Sequence, residues 1–390
     1  MGRNGREEGV SRRDFLKTLG GGALAVGGLA AGSGLAMAAG APPGPMPRRR
    51  LGRTGVSVSA LCLGGMFDTL NNQPLLRQAF NWGVTYWDTA EGYGNGMSEE
   101  GFGRFFARNP DKRKDIFLVT KHQPRGGDHT ARLEKSLKRL NTGHVDLFFV
   151  HSLTASAEMT PELAEWGAQM KKAGKIRFFG FSTHTNMEEC LLGAAKLGFV
   201  DAVMFTYNYR VLQNPRMQEA VAACTKAGVG LVAMKTMGMG PDSKPSAADA
   251  TLRLRAVWQN PDIASISSQM PSVSVLAANA AVAREAAPLT RAERSQLRQV
   301  ALETGRGYCA GCAHVCLAAL DGQVPVNEVM RSLMYWRDYG EPDLAKSAFA
   351  ALPAEVRQRL ARLDYAKAEA ACPQRLAIAE LVRAAAGVLA

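Results

Sequence analysis

From Met46 onward, short apolar runs rich in β-branched and aromatic residues alternate with longer stretches in which apolar residues recur every three or four positions. The short runs are typical of buried strands, and the longer stretches are typical of amphipathic helices. Candidate strands lie at 60–65, 84–89, 115–120, 145–150, 176–182, 201–207, 229–234 and 263–267. Clear helical patterns cover 129–140 and 215–228, and a glycine ends the second. The pattern therefore predicts repeated strand–helix units.

This repetition predicts an α/β protein built as a (β/α)8 TIM barrel, because fully buried parallel strands give continuous apolar runs. A doubly wound open sheet is the structural alternative. The eight strands and their even spacing favour the barrel. We place the barrel at 46–288 and a helical extension that contains cysteines at 289–390, after a signal and linker at 1–45.

The amino-terminal segment has the pattern of a twin-arginine signal. The stretch "SRRDFLK" at 11–17 precedes an uncharged run rich in glycine and alanine at 18–47, and this run contains the small-x-small triplet Ala36-Met37-Ala38. The pattern predicts export of the folded chain to the periplasm by the twin-arginine translocase. The run is also long enough to stay as a membrane anchor if it is not cleaved. A dinucleotide fingerprint at "GGGALA", 20–25, is the other alternative, but no strand precedes it.

Composition and charge exclude some classes of function. The chain has 390 residues, of which 46% are hydrophobic and 21% are charged, as in an ordinary globular protein. The formal net charge is +12, and much of the excess lies in "MPRRRLGRTG" and among the arginines before residue 18. No basic run is interleaved with aromatic residues, so we expect no nucleic-acid partner. No part of the pattern predicts an oligomeric state.

Four ionisable residues lie at or just after the carboxyl ends of candidate strands, where a barrel carries its chemistry. They are Asp88, Tyr93, Lys121 and His151. Taken singly, each has an ordinary interpretation as a helix cap, a loop aromatic, a surface charge or a core histidine. Together they can meet at one rim, where a lysine would lower the pKa of a tyrosine from about 10 toward neutrality and make it a proton donor. A carboxylate beside that lysine would keep the lysine charged.

Several motifs between about Met46 and about Ala283 resemble the aldo/keto reductase superfamily. They are "MPRRRLGRTGVSVSALCLGG", "WDTAEGYG", "VTKH", "FVHS" and "GKIRFFGFSTHT". The resemblance implies that Asp88, Tyr93, Lys121 and His151 form a catalytic tetrad acting on a small carbonyl or alcohol. In that mechanism a nicotinamide gives hydride to a carbonyl carbon and Tyr93 protonates the oxygen. Lys121 and Asp88 tune Tyr93, and His151 orients the carbonyl.

The same resemblance implies a nicotinamide cofactor, expected to be NADP(H). It places polar contacts to the cofactor at Ser182, Thr183, Asn208, Ser268, Ser272 and Asn279. Two positions depart from the family pattern, since Met204 stands where a glutamine is usual and Met234 and Lys235 stand where an aromatic residue is frequent. No lysine or arginine lies between 268 and 279, although an adenosine 2′-phosphate normally binds one.

The extension carries three closely spaced cysteines, Cys309, Cys312 and Cys316, and a fourth, Cys372, that precedes a proline. Three cysteines spaced C-x2-C-x3-C with a remote Cys-Pro are typical of a [4Fe-4S] site. A structural zinc site using the same thiols or His314, disulfides, and simple packing on one helix face are the alternatives.

The tail phrases "VPVNEVMRSLMYWRDYGEPDLA" and "CPQRLAIAEL" resemble a subgroup of aldo/keto reductases with a ferredoxin-like carboxyl-terminal extension. Leu317 stands where the ferredoxin pattern often has proline, and the seven cysteines are too few for a second cluster. Folded export fits a cofactor that is assembled in the cytoplasm. We therefore predict an exported oxidoreductase with one [4Fe-4S] cluster that exchanges electrons with an envelope redox partner. The alternative is an electron carrier or binding protein whose barrel no longer uses nicotinamide.

Overall fold

The structure is a computed structural model that describes residues 44–124, 127–240, 245–285 and 287–390. The predicted signal, its cleavage triplet and the "GGGALA" alternative lie outside these residues. Within the described ranges, no helix is both long enough and apolar enough to cross a membrane.

The described chain begins with a two-stranded antiparallel hairpin, β1 (Arg48–Arg50) and β2 (Ser57–Ser59), which the apolar pattern did not predict. Leu51, between the two strands, and Val58, in β2, are fully buried and join the core inside the barrel. Leu51 packs against Gly230, at the start of a barrel strand. The hairpin therefore covers the amino ends of the strands and leaves their carboxyl ends for the site.

Eight parallel strands then close into a barrel, which confirms the predicted fold class. They are β3 (Leu61–Gly64), β4 (Tyr86–Asp88), β5 (Phe117–His122), β6 (Val145–Leu153), β7 (Ile176–Thr183), β8 (Ala202–Thr206), β9 (Gly230–Met234) and β10 (Ile263–Gln269). Each strand pairs with the next in sequence, and β10 pairs with β3 to close the ring. All eight overlap the predicted strands, so the open-sheet alternative is wrong.

A helix follows each barrel strand and packs around the outside. These helices are α1 (Gln73–Asn81), α2 (Met97–Arg108), α3 (His129–Arg139), α4 (Pro161–Lys172), α5 (Met187–Ala194), α6 (Pro215–Lys226), α7 (Ala247–Trp258) and α8 (Val273–Glu285). Side-chain caps set the starts of the two predicted helices. Asp128 accepts hydrogen bonds from the first amides of α3, and Asn214 does the same for α6.

The extension consists of helices in the described range. The first, α9 (Arg291–Glu303), packs on the barrel, because Leu289 and Leu297 share a small core with Tyr209 and Leu252. The others are α10 (Ala313–Ala319), α11 (Val326–Arg337), α12 (Pro342–Ala350), α13 (Ala354–Arg359), α14 (Ala366–Ala371) and α15 (Ile378–Leu389). These six surround a second core of their own. The domain boundary at 288 stays a prediction.

The loop that carries the first cysteines is tied to the barrel loop after β7. The amide of Asn186 donates to the carbonyl oxygen of Gly311 over 2.8 Å, and the amide of His314 donates to Asn186 Oδ1 over 3.0 Å. Gly311 has a φ of 80°, and a Cβ atom there would lie 2.5 Å from the carbonyl oxygen of His184. Only glycine allows this approach.

Candidate active site

The four predicted catalytic residues meet at the carboxyl end of the barrel. Asp88 ends β4, Lys121 lies one residue before the end of β5, and His151 lies near the end of β6. Tyr93 begins a short 3-10 turn at Tyr93–Gly96, after β4. Because β4, β5 and β6 are neighbours and parallel, their carboxyl ends share one rim.

Lys121 is at the centre of this group. Its Nζ atom donates to Asp88 Oδ2 over 2.7 Å and to the carbonyl oxygen of Thr89 over 2.8 Å, and it lies 3.4 Å from the Tyr93 hydroxyl. Lys121 and Asp88 are only 1% and 2% exposed. The rings of Tyr93 and His151 lie edge to face with their centroids 5.8 Å apart. The structure thus brings all four predicted residues together.

The turn after β4 explains how Tyr93 reaches this group. Gly94, Asn95 and Gly96 all have left-handed φ angles, of 56°, 55° and 97°. Glycine and asparagine are the residues that adopt this conformation most readily. The turn folds the chain back so that the Tyr93 ring lies 4.8 Å from Lys121 Nζ.

Burial and ion pairing shift the pKa values of Asp88 and Lys121 in opposite directions. Burial raises the pKa of Asp88 above its ordinary value, although the adjacent ammonium opposes this shift. Burial alone would lower the pKa of Lys121, but the attraction of Asp88 and Tyr93 for the ammonium outweighs it and raises the pKa. The lysine therefore remains charged at neutral pH.

For Tyr93 the electrostatic prediction is corrected. Lys121 favours the phenolate, as predicted, but burial and the negative groups nearby outweigh it, so the pKa of Tyr93 lies above its ordinary value. At neutral pH the hydroxyl therefore keeps its proton. Tyr93 can donate a proton, but Lys121 does not make it a stronger acid than free tyrosine in this structure.

His151 is held neutral. Burial is the main cause of a pKa well below the ordinary histidine value, and the positive charges of Lys121 and Arg331 lower it further. Next to it, Ser152 has a left-handed φ of 59°, and its amide donates to Ser182 Oγ over 3.1 Å. A neutral imidazole at this rim can donate a hydrogen bond to a carbonyl oxygen.

Ser182 and Thr183, both predicted to contact the cofactor, differ in their hydrogen bonds. The Ser182 hydroxyl accepts a hydrogen bond from the Ser152 amide. Within the described part of the chain, its own proton is not donated to a protein group. The Thr183 hydroxyl lies within hydrogen-bond distance of the carbonyl oxygens of Leu153 and Thr185, both at 2.7 Å, and accepts from the Thr185 amide. Protein groups therefore occupy the bonding positions of Thr183.

Asn208 also makes protein contacts. Its Nδ2 atom donates to the Tyr308 hydroxyl over 3.0 Å and to the carbonyl oxygen of Lys235 over 3.2 Å, and its Oδ1 atom accepts from the Arg210 amide. Asn208 is fully buried. In this structure it ties the end of the barrel to the extension.

The other three residues predicted to contact the cofactor lie in β10, just before α8 and within α8. Ser268 is in β10 and accepts from Asn279 Nδ2 over 3.0 Å, and Asn279 is in α8. The Ser272 hydroxyl accepts from the amide of Val275, in the first turn of that helix. The start of a helix favours an anion.

The four cysteines of the extension line one pocket. Cys309, Cys312, Cys316 and Cys372 surround a space of about 290 Å³, counting its open side. Burial, with the mutual repulsion of the thiolates, raises the pKa of Cys309 to about 12 and that of Cys316 to about 11. We call this space the four-cysteine pocket.

None of the four thiols is in a disulfide. Across the described ranges, no group of three or more histidine, cysteine, aspartate or glutamate side chains is already arranged to hold a metal ion. A structural zinc site would need four ligands that converge on one ion at about 2.0–2.3 Å.

Sequence reasoning missed residues that α11 places over the rim. Lys235 Nζ lies 4.4 Å from the Tyr335 ring centroid and 4.7 Å from that of Tyr339, which follows the helix. Burial opposes ionisation of Tyr335, but the charges of Lys235 and Arg331 outweigh it and lower its pKa. Arg331 and Tyr335 are four residues apart on one helix face, which is the signal that could have suggested a shared role.

Comparisons with known proteins agree on one family. A model of the Aldo/keto reductase family matches residues 60–306. The chain is 29% identical to an uncharacterized oxidoreductase of Bacillus subtilis, YrpG, over 49% of this chain and 66% of that protein. It is 32% identical to the aldo-keto reductase yakc [NADP(+)] of Schizosaccharomyces pombe, over 50% of this chain and 62% of that protein. The chain thus spans a little less than two thirds of these relatives.

A solved structure shows the same fold. The aldo-keto reductase of Klebsiella pneumoniae in complex with NADPH superimposes with a TM-score of 0.54, over 65% of this chain and 95% of that one. The two sequences are 20% identical in that comparison. The likeness therefore bears on the fold alone.

Proposed function

Because the chain belongs to the aldo/keto reductase family, we propose that it is an oxidoreductase that interconverts small carbonyl compounds and alcohols at Asp88, Tyr93, Lys121 and His151. One observation carries this proposal. Lys121 Nζ lies 2.7 Å from Asp88 Oδ2 and 3.4 Å from the Tyr93 hydroxyl at the rim of the barrel.

The chemistry divides among the four side chains. Tyr93, protonated at neutral pH, gives its proton to the carbonyl oxygen during reduction, and Lys121 stabilises the phenolate that remains. Asp88 keeps the buried lysine charged and in place. His151, neutral and close to the Tyr93 ring, donates a hydrogen bond that orients the carbonyl. When bound, a reduced nicotinamide cofactor supplies the hydride.

We assign NADP(H) as that cofactor, since the relative from Schizosaccharomyces pombe carries NADP(+) in its name. Ser182, with a hydroxyl proton free to donate, the Ser268–Asn279 pair that joins β10 to α8, and Ser272 just before α8 support a dinucleotide. The absence of lysine and arginine between 268 and 279 predicts that NADPH gains little over NADH.

The decisive test replaces Tyr93 by phenylalanine. We expect Tyr93→Phe to lower kcat/KM for carbonyl reduction about a thousandfold, because general acid catalysis contributes about 10²- to 10⁴-fold. Nucleotide fluorescence should show unchanged binding of NADPH and NADH. Tyr365→Phe is the control, because Tyr365 lies in the extension and donates to Leu360. Full turnover by Tyr93→Phe would refute the role of this tyrosine.

We further propose that Cys309, Cys312, Cys316 and Cys372 hold one [4Fe-4S] cluster. All four line one pocket, and in such a cluster each thiolate binds its own iron, so the sulfurs need not converge on one point. When bound, the cluster supplies one-electron transfer, here with an envelope redox partner. Purification without oxygen followed by iron and sulfide analysis should give about four of each per chain. Absence of iron would instead favour a zinc site, disulfides or simple packing as the role of the four thiols.

Export by the twin-arginine translocase to the periplasm is part of this proposal and is motivated by "SRRDFLK" at 11–17. Cell fractionation should find the protein in the periplasm, and the paired changes Arg12→Lys and Arg13→Lys should retain it in the cytoplasm. Unchanged periplasmic accumulation of the paired variant would contradict this route.

A second candidate is an electron carrier or binding protein whose barrel does not use nicotinamide. The contacts of Thr183 and Asn208 with protein groups and the position of α11 over the rim favour it. Titration of the iron-containing protein with NADPH and NADH separates the two candidates. No saturable binding of either nucleotide would favour the carrier.

A further inference from the structure

A second space opens between the rim of the barrel and the extension. Barrel residues His184 and Lys235 line one side, and extension residues Tyr308, Asn327 and Arg331 line the other. We call this space the polar chamber. It holds about 600 Å³ including its open mouth.

The polar chamber is lined by two cations, Lys235 and Arg331, and by two carboxylates, Glu328 and Asp338, of which Asp338 is paired with Arg337. Arg331 is paired with Glu328, which also accepts from Asn327 Nδ2 over 2.8 Å. Lys235 lies against the faces of the Tyr335 and Tyr339 rings. Lys235 also has a left-handed φ of 55°, a conformation that is unfavourable for a residue with a side chain. The described fold therefore holds an ammonium at this wall at some conformational cost.

Two buried polar atoms of the chamber lining have no partner within the described part of the chain. They are Arg331 Nε, a donor, and Asn327 Oδ1, an acceptor. Asn327 is 7% exposed, and the donation of its Nδ2 atom to the carboxylate of Glu328 fixes which end of the amide is the oxygen. Buried polar atoms normally have hydrogen-bond partners, so these two atoms point to a ligand.

Asn327 also borders the four-cysteine pocket. Thiolate sulfurs are acceptors and cannot bind this oxygen, and the Gln374 amide, which also lines that pocket, does not donate to it in this structure. Asn327 lines the polar chamber as well, so a donor bound in the chamber could reach it.

The chamber adjoins the catalytic rim. Burial is the main cause of the low pKa of both His151 and His184, and the charge of Arg331 lowers both further. His184 itself lines the chamber, and its Nδ1 atom lies 3.1 Å from Thr206 Oγ1. His184, Thr206 and Lys235 lie at or just after the carboxyl ends of β7, β8 and β9, so a ligand in the chamber would lie at the same rim, although none of the four proposed catalytic residues lines the chamber.

The size of the chamber limits the ligand. The space open to the centres of water-sized molecules is about 50 Å³. One water needs about 10–15 Å³ on this measure, so the chamber accepts a compound of about four or five non-hydrogen atoms without rearrangement.

We propose that the polar chamber binds a small hydroxycarboxylate. Arg331 and Lys235 hold the carboxylate, and Asn327 Oδ1 accepts a hydrogen bond from the hydroxyl. This binding does not depend on the proposed catalytic function, because none of the four proposed catalytic residues lines the chamber.

Isothermal titration calorimetry of the full iron-containing protein tests this proposal with glycolate and its neutral amide, glycolamide. The two have the same size and differ in charge. We expect glycolate to bind saturably and at least about tenfold more tightly, because charge-assisted hydrogen bonds are roughly twice as strong as neutral ones. Equal affinity for the two compounds, or no binding of glycolate, would overturn the assignment. Inorganic phosphate binding more tightly than glycolate would also overturn it.

Variants of the two cations of the chamber test where glycolate binds. Arg331→Gln and Lys235→Met should each weaken glycolate binding about tenfold, while glycolamide binding should change little. Arg383→Gln and Lys346→Met are the matched controls, because both residues are exposed and lie outside the chamber. Unchanged glycolate binding by both chamber variants would exclude this site. If one of these variants does not fold, the other variant and the pair of ligands still decide.

A further variant separates this inference from the proposed function. Tyr93→Phe should bind glycolate with wild-type affinity, since Tyr93 does not line the chamber. Loss of turnover without any glycolate binding by the wild type would refute the chamber ligand alone. Glycolate binding with full turnover by Tyr93→Phe would refute the catalytic proposal alone.

Discussion

The barrel and the extension bury polar groups in different ways. In the barrel, the buried ammonium of Lys121 is paired with the buried carboxylate of Asp88, and the carboxylate of Asp146 is paired with Arg113 and Arg177. In the extension, four thiols border one pocket, and burial with mutual repulsion opposes the ionisation of at least Cys309 and Cys316. The barrel supplies its own countercharges, whereas the thiols need a bound cationic group before they can ionise together.

The largest expected effect is the loss of bound iron when one of the four thiols is removed. Cys309→Ser and Cys372→Ser should each abolish stable iron binding, because each removes one of the four proposed ligands. Cys224→Ser is the control, since Cys224 is buried in the barrel, 3.1 Å from the Leu191 carbonyl oxygen. Iron content of protein purified without oxygen is the measurement. Wild-type iron content in both variants would refute the assignment of these ligands.

The next effect tests the countercharge in the barrel. Lys121→Met leaves the buried Asp88 without its partner and should lower the free energy of unfolding by about 3–5 kcal/mol. Arg216→Met breaks an exposed pair with Glu189 and should cost about 0–1 kcal/mol. Urea unfolding of both variants gives the comparison. A cost below 1 kcal/mol for Lys121→Met would mean that the buried pair adds little.

The smallest expected effect is the change in the free energy of unfolding with pH. Burial is the main cause that lowers the pKa of His122 to about 4, and the residue is fully buried. The unfolded chain takes up a proton at about 6.5, so the contribution of His122 is complete above that pH and is lost as the pH falls toward 4. The loss should reach about 3 kcal/mol from this residue.

Urea unfolding between pH 7 and 4 measures that slope. His122→Phe should reduce it, since the ring still packs against Phe148 but cannot bind a proton. His314→Gln, an exposed change in the extension, should leave the slope unchanged. An unchanged slope in His122→Phe would mean that other groups set the acid sensitivity.

The eight strands could be predicted because parallel strands buried on both faces are continuous apolar runs. The β1–β2 hairpin could not, since its strands have three residues each and read "RRR" and "SVS". The meeting of Asp88, Tyr93, Lys121 and His151 followed from their positions after neighbouring strands. The net rise in the pKa of Tyr93 did not, because burial depends on the elements that cover the rim.

The extension was less accessible to prediction for the same physical reason. The sequence spacing of Cys309, Cys312 and Cys316, together with the remote Cys372, predicted one shared site, and all four residues border one pocket. The position of Arg331 beside the rim depends on how α11 docks on the barrel, and no local pattern encodes that docking. Likewise, the contact of Asn208 with Tyr308 joins residues that are far apart in the chain.

Gly311 has a consequence for how the two regions can vary over evolution. A methyl group at this position would meet the carbonyl oxygen of His184, so any replacement would push the cysteine loop away from the barrel. A chain that kept all four cysteines and all four rim residues but lost this glycine would still contain both sets of chemical groups. Their separation would change. Glycine at this position therefore sets the distance between the cysteine loop and the barrel rim.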